Sequence, residues 1–202
     1  MKLFYTPGAC SLSPHIALLE AGLPFTLSKV DLKVKKLESG EDFNGINSKG
    51  YVPALQLDNG QLLTEGSAIV QYIADQKPAA GLAPAAGTME RYKLQEWLNF
   101  ISTEIHKPMG SMFNAAQTAE WKESVKATLS KRLDWLSAQL EGKPYLMGEK
   151  FSVADGYLFT ILNWAGMVKF DMAKWPLLQQ YAARVAQRPN VVAALKAEGL
   201  LQ

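Results

Sequence analysis

Hydrophobic residues in the first part of the chain form short runs and helical series that alternate along the sequence. The β-prone runs are Lys2–Tyr5, Pro24–Leu32, Val52–Leu57 and Gln61–Leu63, and the helical stretches are Leu12–Leu19, Leu37–Ile46 and Ile69–Ile73. Asp58-Asn59-Gly60, between the last two runs, is typical of a β-hairpin turn. The order strand, helix, strand, helix, strand, strand, helix predicts a small mixed sheet with helices on its faces.

Apolar residues in the second part recur only at helical spacing. The series are Leu94, Trp97, Leu98, Ile101 and Ile105; Val125, Leu129, Leu133, Leu136 and Leu140; Leu158, Ile161 and Leu162; and Leu177, Tyr181 and Val185. Proline, glycine and alanine dominate residues 78–89, as is typical of a linker. We therefore predict an α/β domain over residues 1–77, a linker over 78–89 and an all-helical domain over 90–202.

Composition narrows the class of protein. The 202 residues are 48% hydrophobic and 20% charged, which are globular values, and the net charge of +2 argues against a nucleic-acid binder. The longest uncharged stretch, Leu3–Leu19, is broken by Pro7, Gly8 and Pro14, so we expect neither a membrane span nor a signal peptide. One cysteine excludes an internal disulfide and suits a reducing compartment. We expect a cytoplasmic protein.

Cys10 is the first candidate for chemistry. It follows a predicted strand and the Pro7-Gly8 turn and precedes a helix, where unpaired backbone N–H groups favour a thiolate. A free cysteine is also common as a small buried apolar residue, but the position in a loop favours the functional interpretation. Ser13 stands where a Cys-x-x-Cys motif would have its second thiol, so a dithiol oxidoreductase is disfavoured.

Two further segments of the first domain could bind a ligand. A cis Val52-Pro53 peptide would turn the Val52 backbone outward to pair with a peptide-like ligand, although local sequence favours trans, because only ~5% of X-Pro bonds are cis. Thr64–Ser67 precedes a helix. It is either an ordinary cap, or a site that holds an ammonium through Glu65 and a carboxylate through Ser67.

The helical domain carries one polar line and one capping motif. Asn99, Thr103 and His106 fall on one side of a helix, opposite the apolar stripe, and taken alone this pattern favours a solvated face. With only two histidines and one cysteine, we predict no metal site. Ser152–Asp155 fits a capping box, which predicts a role in folding.

Six motifs carry a family resemblance. They are Lys2–Tyr5 leading into Pro7–His15, Gly50–Leu55, Leu63–Gly66, Trp97–Phe100, Glu104–Lys107 and Ser152–Asp155. With them the chain resembles the bacterial beta class of cytosolic glutathione transferases over nearly its full length. The resemblance implies a thioredoxin-like N-terminal domain, an all-α C-terminal domain with the electrophile site, a homodimer, a role in detoxification, and glutathione as co-substrate with no further cofactor.

The resemblance also implies roles for individual residues. Cys10 and His106 would be catalytic, Pro53 would follow a cis peptide, and no departure from the family pattern is found at these three positions. The implied glutathione-binding residues are Cys10, Lys35, Tyr51, Val52, Pro53, Glu65, Gly66, Ser67, Asn99, Thr103, Glu104 and His106. The implied electrophile site is Ser11, Lys107, Phe113 and Trp164. The solvated-face interpretation of the line containing His106 is thereby reversed.

We therefore expect the protein to lower the pKa of the glutathione thiol and to conjugate glutathione to small apolar electrophiles. The backbone N–H groups around Cys10 and Ser11, with His106, are the expected source of this effect, and Tyr5 is a weaker candidate. Two alternatives stay open. Cys10 could exchange disulfides as a monothiol with glutathione, or the protein could be a non-catalytic ligand carrier or interaction module.

Overall fold

The computed structural model describes residues 1–201, which form two compact units. The first unit consists of Met1–Ala83 together with the residues from Arg188 onward, and the second unit is Pro84–Gln187. The boundary after Ala83 falls within residues 78–89, the segment predicted to be a linker.

The first unit is built on a five-stranded mixed sheet. Its strands are β1 (Lys2–Tyr5), β2 (Thr26–Asp31), β3 (Lys36–Leu37), β4 (Ala54–Gln56) and β5 (Leu62–Thr64), and its helices within the first 83 residues are α1 (Leu12–Ala21), α2 (Phe43–Ile46), α3 (Gly66–Gln76) and a 3-10 turn, Pro78–Ala80. The strand order is β3-β2-β1-β4-β5, with β1 and β2 parallel and the other pairs antiparallel. This is the predicted small mixed sheet.

The predicted helix over Leu37–Ile46 is wrong. The chain instead forms β3 and, after a turn, the short helix α2, because Gly40 takes a φ of 87° that ends any regular element there. Asp42 then starts α2 by accepting a hydrogen bond from the backbone of Asn44 at 2.9 Å. The predicted hairpin is confirmed, since Gly60 has a φ of 83° in the turn between β4 and β5.

The second unit is helical, as predicted, and has no strand among residues 84–187. Its helices are α4 (Met89–Phe100), a π-helix (Ile101–His106), α5 (Lys107–Ser111), α6 (Ala119–Gln139), α7 (Val153–Leu162), α8 (Trp164–Met167) and α9 (Pro176–Ala186). The buried members of the predicted series are Leu94, Leu98, Ile101, Ile105, Leu129, Leu133, Leu136, Leu140, Leu158, Ile161, Leu162, Tyr181 and Val185. The helical periodicity therefore identified the core of this unit.

The predicted capping box is present at the start of α7. One Asp155 oxygen accepts from the backbone N–H and the hydroxyl of Ser152, both at 2.8 Å, and the other accepts from Leu146 N at 2.8 Å and the Tyr181 hydroxyl at 2.9 Å. Asp155 is fully buried, and this desolvation raises the pKa of its carboxyl group. The motif thus joins the start of α7 to the preceding loop and to α9.

The last helix, α10 (Pro189–Ala197), packs against α1 in the first unit, which differs from the predicted helical domain of residues 90–202. Two side-chain contacts between α1 and the residues from Arg188 onward explain the difference. Arg188 donates to both carboxylate oxygens of Glu20 at 2.7 and 2.9 Å, and His15 Nδ1 lies 2.9 Å from Glu198 Oε1 with both side chains buried. The charged partners that α1 needs are therefore supplied by the end of the chain.

Candidate functional site

Cys10 lies in the turn between β1 and α1, two residues before the first residue of the helix. The residue is partly exposed, and its thiol donates a hydrogen bond to the carbonyl oxygen of Val52 at 3.3 Å. The Val52-Pro53 peptide is cis. This is the isomer that the family resemblance implies, and it differs from the one that local sequence favoured.

The protonation of Cys10 differs from the expectation. The backbone N–H groups of Cys10 and Ser11 lower the pKa of the thiol, as predicted, but burial is the larger effect and raises the pKa to about 12. At neutral pH this pKa corresponds to an S–H group that can donate a hydrogen bond, in contrast to the thiolate that the sequence favoured.

Ser11 supports the structure of the turn that contains Cys10. Its side chain is fully buried, and its hydroxyl oxygen accepts from Thr6 N at 3.1 Å and donates to Thr6 O at 3.3 Å. The hydroxyl closes the turn that presents Cys10. This burial contradicts the predicted place of Ser11 in an electrophile site, because an incoming substrate could not reach the side chain.

Glu65 stands directly before α3 with a φ of 69°, a backbone conformation that is strained in a residue with a side chain. Its Oε1 accepts from the Tyr51 hydroxyl at 3.0 Å and from the Lys49 ammonium. The hydrogen bond from Lys49 holds the pKa of Glu65 below its usual value. An ionised carboxylate therefore lies beside Ser67, in the first turn of α3, where helix N–H groups lack intrahelical partners.

Lys49, which binds Glu65 together with Tyr51, was not predicted as a site residue. Its ammonium also contacts the Thr64 hydroxyl at 3.0 Å, so it connects the loop before β4 to the end of β5. The only sequence signal is a lysine two residues before Tyr51. No periodicity or spacing rule could have paired this lysine with Glu65.

Lys35 supports the loop that leads to Val52. Its ammonium donates to the carbonyl oxygen of Gly50 at 2.6 Å, and Lys35 itself has a φ of 57°. Gly50 has a φ of 65°, and a Cβ placed on it would lie 2.9 Å from Asn44 Oδ1. A side chain at this position, next to Tyr51, would be strained and would displace the Asn44 side chain.

Together these contacts make one continuous site on the first unit. Cys10 contacts Val52, and a Cβ placed on Gly66 would lie 3.8 Å from the Pro53 ring. Tyr51 reaches Glu65, as described above. The structure thus brings together seven of the predicted glutathione-binding residues on this unit: Cys10, Tyr51, Val52, Pro53, Glu65, Gly66 and Ser67.

In the second unit the residues of the predicted line, Asn99, Thr103 and His106, differ in exposure. Asn99 and Thr103 are exposed, whereas His106 is half-buried. The segment Ile101–His106 is a π-helix, and the His106 ring contacts Tyr157 and Trp164. Glu104, also predicted, accepts from Arg132 Nε at 2.6 Å.

His106 lies in an aromatic cluster. Its Nδ1 is 2.6 Å from the Tyr157 hydroxyl, and its ring centroid is 5.0 Å from that of Trp164. Phe113 packs edge-on against Trp164 with centroids 5.5 Å apart, and 48% of its surface is exposed. Burial lowers the pKa of His106 to about 4, so the imidazole is neutral at pH 7.

Phe113 and Trp164, predicted for the electrophile site, are therefore in contact and lie beside His106. Lys107 faces a different groove of about 340 Å³ between α5 and α6, lined also by Thr103 and Trp121. The lining of that groove does not include Phe113 or Trp164, so the structure does not place Lys107 with them.

Comparison with known proteins places these features in a family. Residues 8–76 match the model of the glutathione S-transferase N-terminal domain, and residues 100–189 match that of the C-terminal domain. The chain is also 48% identical to glutathione S-transferase GstA of Escherichia coli O157:H7, over 99% of this chain and 100% of that protein. The chain belongs to the glutathione S-transferase family.

Solved structures refine the placement within the glutathione S-transferases. A bacterial beta-class glutathione S-transferase of Sphingomonas chungbukensis superposes with a TM-score of 0.96 at 50% identity, over the whole of both chains. A sphingomonad glutathione S-transferase complexed with glutathione superposes with a TM-score of 0.95 at 52% identity, over 99% of this chain and 100% of that one. The resemblance to the beta class and the thioredoxin-like plus all-α fold are thus confirmed.

Proposed function

We propose that this glutathione S-transferase family member binds glutathione and conjugates it to small apolar electrophiles. The observation that carries the proposal is the continuous site on the first unit, from Cys10 through the Val52 backbone to Glu65 and the start of α3. It offers backbone groups for a peptide, a carboxylate for an ammonium, and helix N–H groups for a carboxylate. Glutathione carries all three complementary groups.

Each residue has a task in this proposal. The Val52 N–H and C=O pair with the cysteinyl backbone, Glu65 holds the γ-glutamyl ammonium, and Ser67 with the α3 N-terminus holds the γ-glutamyl carboxylate. Lys35 is proposed to hold the glycyl carboxylate. In the second unit Asn99, Thr103 and Glu104 are proposed to contact the tripeptide, and Phe113 and Trp164 the electrophile.

Protonation states suit a donor role for both catalytic candidates. Cys10 is an S–H group and His106 a neutral imidazole at pH 7, so each can donate a hydrogen bond to the glutathione thiolate without accepting its proton. The glutathione thiol releases its proton to water. The sulfur electron pair then forms a bond to the electrophilic carbon, and the leaving group departs with its bonding pair.

A titration of the bound thiol tests the proposal. Free thiols have a pKa of about 8.5, and we expect the thiolate absorbance of bound glutathione to titrate about two pH units lower. The Glu65→Gln variant should bind glutathione more weakly, whereas Glu149→Gln, at a position outside the site, should bind normally. An unshifted thiol pKa at saturating glutathione would contradict the proposal.

Disulfide exchange through Cys10 is the second candidate. The observation that favours it is the position of the only cysteine of the sequence at the predicted cysteinyl subsite. The deprotonated Cys10 sulfur would attack a glutathione mixed disulfide, bond to the glutathione sulfur and expel the substrate as a thiolate. A second glutathione thiolate would then attack that sulfur, which forms glutathione disulfide and frees the Cys10 sulfur. Conjugation that survives Cys10→Ala while disulfide exchange is lost would assign exchange to Cys10. Glutathione binding without turnover in either assay would instead indicate a ligand carrier.

An exposed aromatic groove on the second unit suggests where a second copy of the chain binds. A groove of about 550 Å³ between α4 and α6 is lined by Trp97, Phe100 and Trp135, and 46% of the Trp135 surface is exposed. Exposed aromatic patches mark interaction surfaces, and we propose that a second copy of the chain covers this one in a homodimer. Light scattering should give twice the chain mass, and Trp135→Glu should halve it.

Every helix among residues 1–201 is too short or too polar to cross a bilayer. We propose a cytoplasmic detoxification enzyme with glutathione as co-substrate and no further cofactor.

A further inference from the structure

The hydrogen bond between His106 and Tyr157 determines where the imidazole carries its proton. The Tyr157 hydroxyl is 2.6 Å from Nδ1, and the two rings are nearly perpendicular, at 89°, with centroids 5.7 Å apart. Only 4% of the Tyr157 surface is exposed. Breaking a hydrogen bond of a buried hydroxyl is costly. The bond therefore holds the His106 ring in an orientation that keeps Nδ1 next to the Tyr157 hydroxyl.

The tyrosine is the better donor in this bond. A neutral imidazole has one protonated nitrogen and one acceptor nitrogen, and a phenol can donate or accept. The phenol O–H is a much stronger acid than a neutral imidazole N–H, and an imidazole nitrogen is a better acceptor than a phenol oxygen. The O–H to Nδ1 arrangement is therefore the stronger of the two. It leaves the imidazole proton on Nε2.

The His106 ring packs against Trp164 and lies close to Gly110. Trp164 packs on it at an interplanar angle of 73°, and a Cβ placed on Gly110 would lie 3.4 Å from Trp164 and 3.7 Å from His106 Cδ2. A flip of the imidazole would put a carbon opposite the Tyr157 hydroxyl and remove its acceptor. No group among residues 1–201 forms a hydrogen bond with Nε2, which is thus available to a ligand.

We propose that Tyr157 is a positioning residue that holds His106 as the Nε2–H tautomer, so that His106 presents a neutral N–H donor to an anionic sulfur. The identity of the anion, the glutathione thiolate, rests on the proposed function. The tautomer of His106 and the role of Tyr157 do not. A donor of this kind stabilises a thiolate by hydrogen bonding. The same imidazole with Nδ1 protonated would face the thiolate with a nitrogen lone pair and repel it.

Nitrogen NMR on protein with isotope-labelled histidine tests the proposal directly. Protonated and unprotonated ring nitrogens resonate far apart, and the sequence has only His15 and His106, so His106→Asn assigns both. We expect Nε2–H for His106. His15 is an internal contrast, because its Nδ1 must carry a proton to donate to the Glu198 carboxylate 2.9 Å away.

The Tyr157→Phe variant keeps the ring contact and removes the hydroxyl. We expect it to shift His106 towards a mixture of the two neutral tautomers and to lower kcat for conjugation about fivefold, which corresponds to about 1 kcal/mol. Tyr92→Phe removes an exposed tyrosine hydroxyl from α4 and should change neither value. If Tyr157 only packed against His106, its replacement would not change which ring nitrogen of His106 carries the proton.

The outcomes separate this proposal from the proposed function. Nδ1–H or a cationic His106 in the unchanged protein at pH 7 would overturn it, and so would an unaltered tautomer in Tyr157→Phe. If that variant does not fold, the spectrum of the unchanged protein still decides the tautomer. A tautomer shift in a protein that never conjugates glutathione would support the role of Tyr157 and overturn only the function.

Discussion

Burial sets the protonation of Cys10 and His106, and it acts in opposite directions on their pKa values. It raises the pKa of the thiol to about 12 and lowers that of the imidazole to about 4, because in each case the charged form loses hydration. Both groups are therefore neutral donors at pH 7. The position after the Pro7-Gly8 turn already suggested Cys10, and the family resemblance suggested His106, but no sequence pattern could have predicted the burial that keeps Cys10 protonated.

The lowered pKa of His106 predicts a pH dependence of stability. The unfolded chain takes up a proton near pH 6.5, whereas folded His106 does so only near pH 4, so this contribution is complete above about pH 6.5 and declines as the pH falls towards 4. We expect His106 to account for a loss of about 1 to 2 kcal/mol in the free energy of unfolding between pH 7 and pH 5.

Urea unfolding at both pH values measures this loss, with His106→Asn as the control. The variant should show a smaller decline than the unchanged protein, because the remaining decline comes from other groups. Equal declines in the two proteins would mean that His106 titrates normally in the folded state.

At the scale of elements, hydrophobic spacing predicted the helices of the second unit but not the changes within them. The stripe of Leu98, Ile101 and Ile105 is buried as predicted. The π-helix over Ile101–His106 was missed, because Leu98, Ile101 and Ile105 are spaced as they would be in an α-helix. The short α2 was missed for a different reason, since Gly40 interrupts a pattern that otherwise has helical spacing.

The capping motif of α7 predicts a large loss of stability in one variant. Asp155→Ala removes the acceptor for Ser152, Leu146 and Tyr181 inside the core, and we expect the free energy of unfolding to fall by about 3 kcal/mol. Ser152→Ala removes the N-cap hydroxyl and should cost about 1 kcal/mol. Denaturant unfolding checks both values, and a cost for Asp155→Ala no larger than that for Ser152→Ala would contradict the role assigned to the buried carboxylate.

For the whole molecule, the change in composition along the sequence predicted that the chain has two parts. It did not predict that α10 packs in the first unit. Its docking depends on charges at opposite ends of the sequence, such as Arg188 with Glu20, and local periodicity carries no information on such pairs. The Glu198 side chain shows what the docking does for the candidate site. Its Oε2 accepts from Gly8 N at 2.9 Å, in the loop that leads to Cys10, while Oε1 contacts His15.

Removal of the Glu198 carboxylate should therefore affect both stability and the loop before Cys10. Glu198→Ala removes the carboxylate that contacts the buried Nδ1 of His15 and accepts from Gly8 N, so we expect the free energy of unfolding to fall by about 3 kcal/mol. Hydrogen exchange at Gly8 should also become faster than in the unchanged protein. Glu141→Ala, on the exposed surface of the second unit, is the control and should alter neither. If exchange at Gly8 is unchanged in a destabilised Glu198→Ala, the carboxylate stabilises α10 without holding the loop, because the bond to Gly8 N would then have no part in its effect.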